Sequence, residues 1–204
     1  MAKYKLFYSP GACSLAVHTV LNAVKADFEL VLTKIDGKQN YSEEYLKLNP
    51  IGQVPVLVEN DNILKESAAI MIHLLDSNKH ELLPQSGNER IKAMQWLLFF
   101  NSSMHQIYSA FFLVSKNLPT PEETKTLITK RINKLWRYVE GEVKTDFIAG
   151  DKPTAADILM AVIANWLPHV VIGEKTKAIC ARVAQLPYFA AALEKEGIKY
   201  RVII

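Results

Sequence analysis

Hydrophobic and polar positions follow two different periods along this chain, and the change of period divides it. In the first eighty residues short β-like apolar runs alternate with stretches of helical spacing, the pattern of a mixed α/β domain. Residues 3–8 read as a strand and Ser9-Pro10-Gly11-Ala12 as a turn. From Cys13 to about Ala23 apolar residues recur near helical spacing at Leu15, Val17, Val20 and Leu21. Residues 28–33 predict a second strand and 41–47 a short helix closed by Asn49-Pro50. Residues 54–59 and 63–65 predict a hairpin around Asn60-Asp61-Asn62, and 67–77 an amphipathic helix, giving the order βαβαββα. From Glu89 onward strand signals fade. Helical segments are predicted at about 89–115, 122–146, 154–168, 175–185 and 187–195, broken at 117–121, 150–153 and Gly173. The segment with Pro84, Ser86 and Gly87 suits an exposed linker. The predicted organisation is therefore an α/β domain at 1–80, a linker at 81–88 and an all-helical bundle at 89–204.

Composition narrows the function classes. The chain has 204 residues, of which 50% are hydrophobic, so a sizeable core is available. The formal charge of +3 is spread without a run of five or six like charges, which argues against a nucleic-acid arm. The longest apolar stretches, such as 97–100 and 158–164, fall far short of the roughly 18 residues of a membrane-spanning helix. Met1-Ala2-Lys3-Tyr4-Lys5 leads directly into the first predicted strand without a basic-then-apolar leader, so the expectation is a cytoplasmic protein with no membrane or nucleic-acid partner. Its two cysteines, Cys13 and Cys180, form neither a metal cluster nor a secreted disulfide framework; free thiols and no metal are expected.

Several positions carry candidate chemistry. Cys13 stands at the predicted start of the first helix, where unsatisfied amides and the helix dipole favour a thiolate, its own or a ligand's; a buried, inert cysteine is the alternative. Ser14 either donates its hydroxyl to the same sulfur or caps the helix. Pro55, after Gln53-Val54, either begins a strand or marks a cis bond that turns the Val54 backbone toward an extended peptide. Glu66-Ser67 sits at a strand-to-helix junction, where Ser67 either only caps the helix or helps receive an anionic group while Glu66 meets an amine. Thr154-Ala155-Ala156-Asp157 satisfies the capping-box pattern and reads as a folding device. His105, Tyr108, Phe111, Phe112 and Trp166 lie on helical stretches where aromatic residues serve core or pocket alike.

Together the motifs resemble a known family. Phe7-Tyr8-Ser9-Pro10-Gly11-Ala12-Cys13-Ser14, Asn49-Pro50-Ile51-Gly52-Gln53-Val54-Pro55 and Glu66-Ser67-Ala68-Ala69-Ile70 look like the beta class of bacterial glutathione S-transferases. Trp96-Leu97 with His105, and Pro153-Thr154-Ala155-Ala156-Asp157, extend the likeness over essentially the whole chain. The resemblance implies a thioredoxin-like N-terminal domain with a cis Pro55, a helical C-terminal domain, a homodimer, and glutathione as co-substrate without a metal. It implies that Cys13 faces the glutathione sulfur with His105 and Ser14 assisting. Gln53, Val54, Glu66, Ser67 and Lys38 would hold the tripeptide, with Ser102, Ser103 and Met104 beside His105. Tyr108, Phe111 and Trp166 would line the pocket for a hydrophobic electrophile or disulfide. The implied activity is glutathione transfer, with thiol transfer or peroxide reduction through Cys13 as a side activity. A non-catalytic interaction protein of the same fold, as among starvation-protein relatives, is the alternative, and a glutathione-dependent isomerase or dehalogenase ranks lower. Leu98 and Gln106 depart from the family pattern, where Asn and Lys are common, and predict weaker glutathione binding or an altered second substrate.

Overall fold

The computed structural model describes residues 2–33, 41–117 and 121–202. Its contacts divide the chain into two compact units, one formed by 1–85 with 186–199 and the other by 86–185 with 200–204.

In the first unit β1 (Tyr4–Tyr8), α1 (Ser14–Ala23), β2 (Phe28–Leu32), α2 (Glu43–Leu48), β3 (Val56–Glu59), β4 (Asn62–Lys65) and α3 (Ser67–Ser77) follow in the predicted order βαβαββα. The sheet order is β2-β1-β3-β4, with β1 parallel to β2 and antiparallel to β3, and β3 antiparallel to β4. The period of two buries Tyr4 and Leu6 of β1 and leaves Lys5 exposed. Two residues connect β3 to β4, and Asn60 takes the left-handed conformation there with φ 53°, which asparagine tolerates. β3 starts at Val56 and not at the predicted residue 54, because Val54–Pro55 is a cis peptide and proline has no N–H for a ladder. Helix α1 is buried continuously from Ser14 to Leu21 and packs on β1, α3 and α9 (Pro187–Glu196).

Helix α9 is the main difference from the predicted division at 81–88. It follows the helical half in sequence yet belongs to the first unit, where Phe189, Ala192 and Leu193 are buried and the Asn22 amide donates to the Tyr188 carbonyl at 3.1 Å. Periodicity shows that a helix has an apolar stripe; it does not name the partner.

The second unit is helical, with α4 (Gly87–Leu98), α5 (His105–Asn117), α6 (Glu122–Glu142), α7 (Ala155–Ala164) and α8 (Glu174–Ala184). The predicted single helix 89–115 is α4 and α5 joined through a π-helical segment, Phe99–Met104. Within it the Ser102 hydroxyl donates to the Leu98 carbonyl at 2.7 Å, a local bond that competes with the regular helical ladder. α6 buries Ile132, Trp136 and Val139 at spacings of four and three. α7 is buried along its full length and ends at Ala164, short of the predicted end at residue 168, since Pro168 disfavours helical backbone before it.

The capping box at Thr154 is formed. Asp157, wholly buried, accepts from the Ile148 amide at 2.8 Å, the Thr154 amide at 2.8 Å and the Thr154 hydroxyl at 2.7 Å, so one carboxylate ties the 148–154 loop to the first turn of α7. Asp157→Ala orphans two buried amides. It is expected to lower unfolding stability by about 3 kcal/mol, with Asp157→Asn recovering less than half, as measured by urea denaturation. A loss below about 1 kcal/mol would show that the box acts as an ordinary surface cap.

Candidate functional site

In the first unit the chain builds a turn and a loop that converge on one sulfur. After β1 the turn closes with the Ala12 amide donating to the Ser9 carbonyl at 3.1 Å, and Gly11 supplies its left-handed residue at φ 70°. Ser14 locks this turn from within the helix. Its hydroxyl donates to the Ser9 carbonyl at 3.1 Å and accepts from the Ser9 amide at 3.2 Å. The assistance expected from Ser14 at the Cys13 sulfur is therefore corrected: its hydroxyl is committed to the Ser9 backbone and shapes the turn that presents Cys13.

Cys13 occupies the cap position of α1 and is 5% exposed. Its thiol donates to the Val54 carbonyl at 3.2 Å. Burial pushes the Cys13 thiol up from 9.0 to about 12. The negative charge of Glu66 adds to the rise, while the backbone N–H groups of Cys13 and Ser14 oppose it. Of the two alternatives open at this position, an acidic thiol at a helix start and a buried cysteine, burial weighs more on the thiol than the dipole does. In this state Cys13 is a neutral hydrogen-bond donor.

The Val54 side of the contact is held by two residues the sequence did not single out. The Gln53 carbonyl accepts from the Tyr45 hydroxyl at 2.6 Å and from the Asn49 amide at 2.7 Å, which fixes the peptide leading into the cis Val54–Pro55 bond. Both donors are buried, Tyr45 on α2 and Asn49 just after it. Asn49 lies in the motif that carries the resemblance, so it could have been weighed there; Tyr45 gave no signal beyond an apolar helical position. The Gln53 side chain is exposed.

At the start of α3, Glu66 takes the cap position with φ 68°, unusual for a residue with a side chain, and makes no side-chain cap bond. Ser67, expected to be the cap, is instead the first helical residue and is buried. A strained, exposed carboxylate beside a helix N-terminus can meet an amine while the helix end meets an acid. Lys38 lies outside the described residues.

The second unit gathers aromatic side chains around His105, the first residue of α5. The His105 and Trp166 rings lie 4.9 Å apart, and Trp166 also meets Tyr108 at 5.5 Å and Phe112 at 6.0 Å. Tyr108 is corrected from pocket lining to core: it is fully buried, and its hydroxyl accepts from the Trp136 indole N–H at 2.8 Å. Phe111 is half-buried beside the ring of His169 at 5.5 Å. Of the three residues expected beside His105, Ser102 and Ser103 are exposed and Met104 is buried. Ser103 borders an open depression with Phe99, Gln106, Ile107, Arg131 and Leu135. Among the described residues no group of three or more His, Cys, Asp or Glu is placed to hold a metal, and no helix is long and apolar enough to cross a membrane.

Two family models match the chain, "Glutathione S-transferase, N-terminal domain" over residues 2–76 and "Glutathione S-transferase, C-terminal domain" over 92–189. The chain is 34% identical to glutathione S-transferase GstA of Escherichia coli O157:H7 over 96% of its own length and 100% of the relative's. Among solved structures it is similar to a sphingomonad glutathione S-transferase complexed with glutathione, at 30% identity and TM-score 0.83, covering 96% of this chain and 100% of that one. It is also similar to a beta class glutathione S-transferase of Sphingomonas chungbukensis, at 30% identity and TM-score 0.81, over 96% and 100% of the two chains.

The neutral state of Cys13 predicts how it reacts before any ligand binds. Because its pKa is raised, the folded protein holds less thiolate than the unfolded chain from pH 8 to 11, and the gap closes only above about pH 12. Alkylation of Cys13 by iodoacetamide, followed by peptide mass spectrometry, is expected to run at least about tenfold slower in the native protein than in urea at pH 9. Equal rates would show an exposed or ionised thiol.

Proposed function

The chain belongs to the glutathione S-transferase family, and from that premise we propose that it binds glutathione and transfers the glutathione sulfur to hydrophobic electrophiles. The observation that best supports this reading is the contact between the Cys13 thiol and the Val54 carbonyl beside cis Pro55. An extended tripeptide laid along Val54 pairs its cysteinyl main chain with the Val54 N–H and C=O as an added strand does. Its sulfur then lies near Cys13. Glu66 takes the α-amino group of the γ-glutamyl end and the α3 start at Ser67 takes its α-carboxylate, with Gln53 beside Val54.

A neutral Cys13 suits conjugation. When the glutathione main chain takes the Val54 carbonyl, the Cys13 S–H leaves that acceptor and donates to the sulfur of glutathione, favouring the ionised form of that sulfur, the stronger nucleophile. The glutathione thiolate attacks the electrophilic carbon, a C–S bond forms, the leaving group departs with its electron pair, and the thiol proton passes to solvent. Thiol–disulfide exchange requires Cys13 itself to ionise. Its thiolate then attacks the glutathione sulfur of a substrate–glutathione mixed disulfide, the substrate thiolate leaves, and a free glutathione thiolate attacks the Cys13 mixed disulfide to release Cys13 and glutathione disulfide. The raised pKa keeps that thiolate scarce at neutral pH, so disulfide exchange and peroxide reduction are minor activities in this reading. The proposed assembly is a cytoplasmic homodimer.

Retention on immobilised glutathione, followed by turnover of a chromogenic electrophile, tests the proposal. Wild-type protein is expected to be retained and active, whereas the non-catalytic reading expects no turnover. Cys13→Ala should keep conjugation at about one-tenth of the wild-type kcat/KM, the value of one hydrogen bond to a charged sulfur, and lose the mixed disulfide. Complete loss of conjugation in that variant would make Cys13 indispensable and contradict the donor role.

A further inference from the structure

The most unexpected buried charge in the first unit is Glu196, the last residue of α9. Its side chain is fully withdrawn from solvent, and both carboxylate oxygens are used. Oε1 lies 2.9 Å from Nδ1 of His18, itself 2% exposed in the middle of α1. Oε2 accepts the Gly11 amide at 3.0 Å. Gly11 lies two residues before Cys13 at φ 70°, and an added Cβ there would meet Ile198 Cδ1 at 3.1 Å, so the segment after α9 closes over the same turn.

A buried carboxylate is costly unless its lone pairs are satisfied, and an apolar residue would join two helices more cheaply. Docking of α9 on α1 already has such support in Phe189, Ala192 and Leu193 and in the Asn22 to Tyr188 bond. What only Glu196 adds is a bond to the turn. We propose that Glu196, oriented by His18, is a positioning residue that holds the Cys13 turn through the Gly11 amide. The last helix of the first unit thereby sets where the thiol sits against Val54. Losing the carboxylate removes the Gly11 amide's bond to α9, loosens the turn and gives solvent access to Cys13. The catalytic consequence rests on the glutathione reading above, while the accessibility of Cys13 does not.

The test compares Glu196→Ala, Glu196→Gln and Asn22→Ala. The last weakens the same helix pair without touching the turn. Glutamine restores both contacts, its carbonyl accepting from Gly11 and its amide donating to the imidazole. After thermal unfolding confirms that each variant is folded, alkylation of Cys13 by iodoacetamide is followed by peptide mass spectrometry. KM for glutathione and kcat are measured alongside. The expected result is alkylation about tenfold faster in Glu196→Ala, near wild-type rates in Glu196→Gln and Asn22→Ala, and a KM for glutathione raised more than kcat is lowered. Should Glu196→Ala fail to fold, His18→Ala removes the carboxylate's other partner and is expected to change alkylation in the same direction. Alkylation that is unchanged, or that rises equally in Asn22→Ala, would overturn the positioning role. Altered alkylation in a protein that turns over no electrophile would leave the positioning role standing and remove the glutathione reading.

Discussion

One hydrogen bond, from the Cys13 thiol to the Val54 carbonyl, draws together devices from distant parts of the first unit. On the cysteine side stand the left-handed Gly11, the two-way bond between Ser14 and Ser9, and the amide of Gly11 on Glu196. On the valine side stand the cis Val54–Pro55 peptide and the Gln53 carbonyl held by Tyr45 and Asn49. Neither side is regular secondary structure, so neither is fixed by a ladder. Each is fixed by side chains that spend their hydrogen bonds on the backbone, which is how an irregular segment is kept in one conformation.

The same enclosure decides the chemistry of the sulfur. A cysteine at a helix start is commonly expected to be acidic, because the terminal amides and the dipole favour its anion. Here burial outweighs them, and the thiol stays protonated. The single S–H is spent on the Val54 carbonyl, the group that an added peptide main chain would also claim. The fold thus supports stabilisation of another molecule's thiolate more readily than attack by its own.

Much of this was legible from the chain alone, for identifiable reasons. The period-two runs and the Ser67 helix start gave the order of elements, since each lies in a local pattern that burial enforces. The capping box at Thr154 was legible because donor and acceptor sit three residues apart. What escaped was non-local. Nothing near Glu196 announces a partner 178 residues away in His18, and nothing in α9 says that it packs against α1. The π-helical segment before His105 depends on a backbone choice that an apolar stripe does not record. Tyr108 showed an aromatic residue at helical spacing, and only its bond from Trp136 separates core from pocket. Cys13 stayed open between two alternatives, because sequence shows the helix start but not the depth of burial.

The central claim is that Cys13 is a neutral donor to the sulfur of glutathione. Ultraviolet absorbance of the thiolate, recorded against pH with and without glutathione for the wild-type protein and Cys13→Ala, tests it most directly. No thiolate signal is expected at neutral pH without ligand, a signal is expected on adding glutathione, and the same ligand-dependent signal is expected at higher pH in the variant. A thiolate signal in the ligand-free wild-type protein at neutral pH that disappears in Cys13→Ala would contradict it.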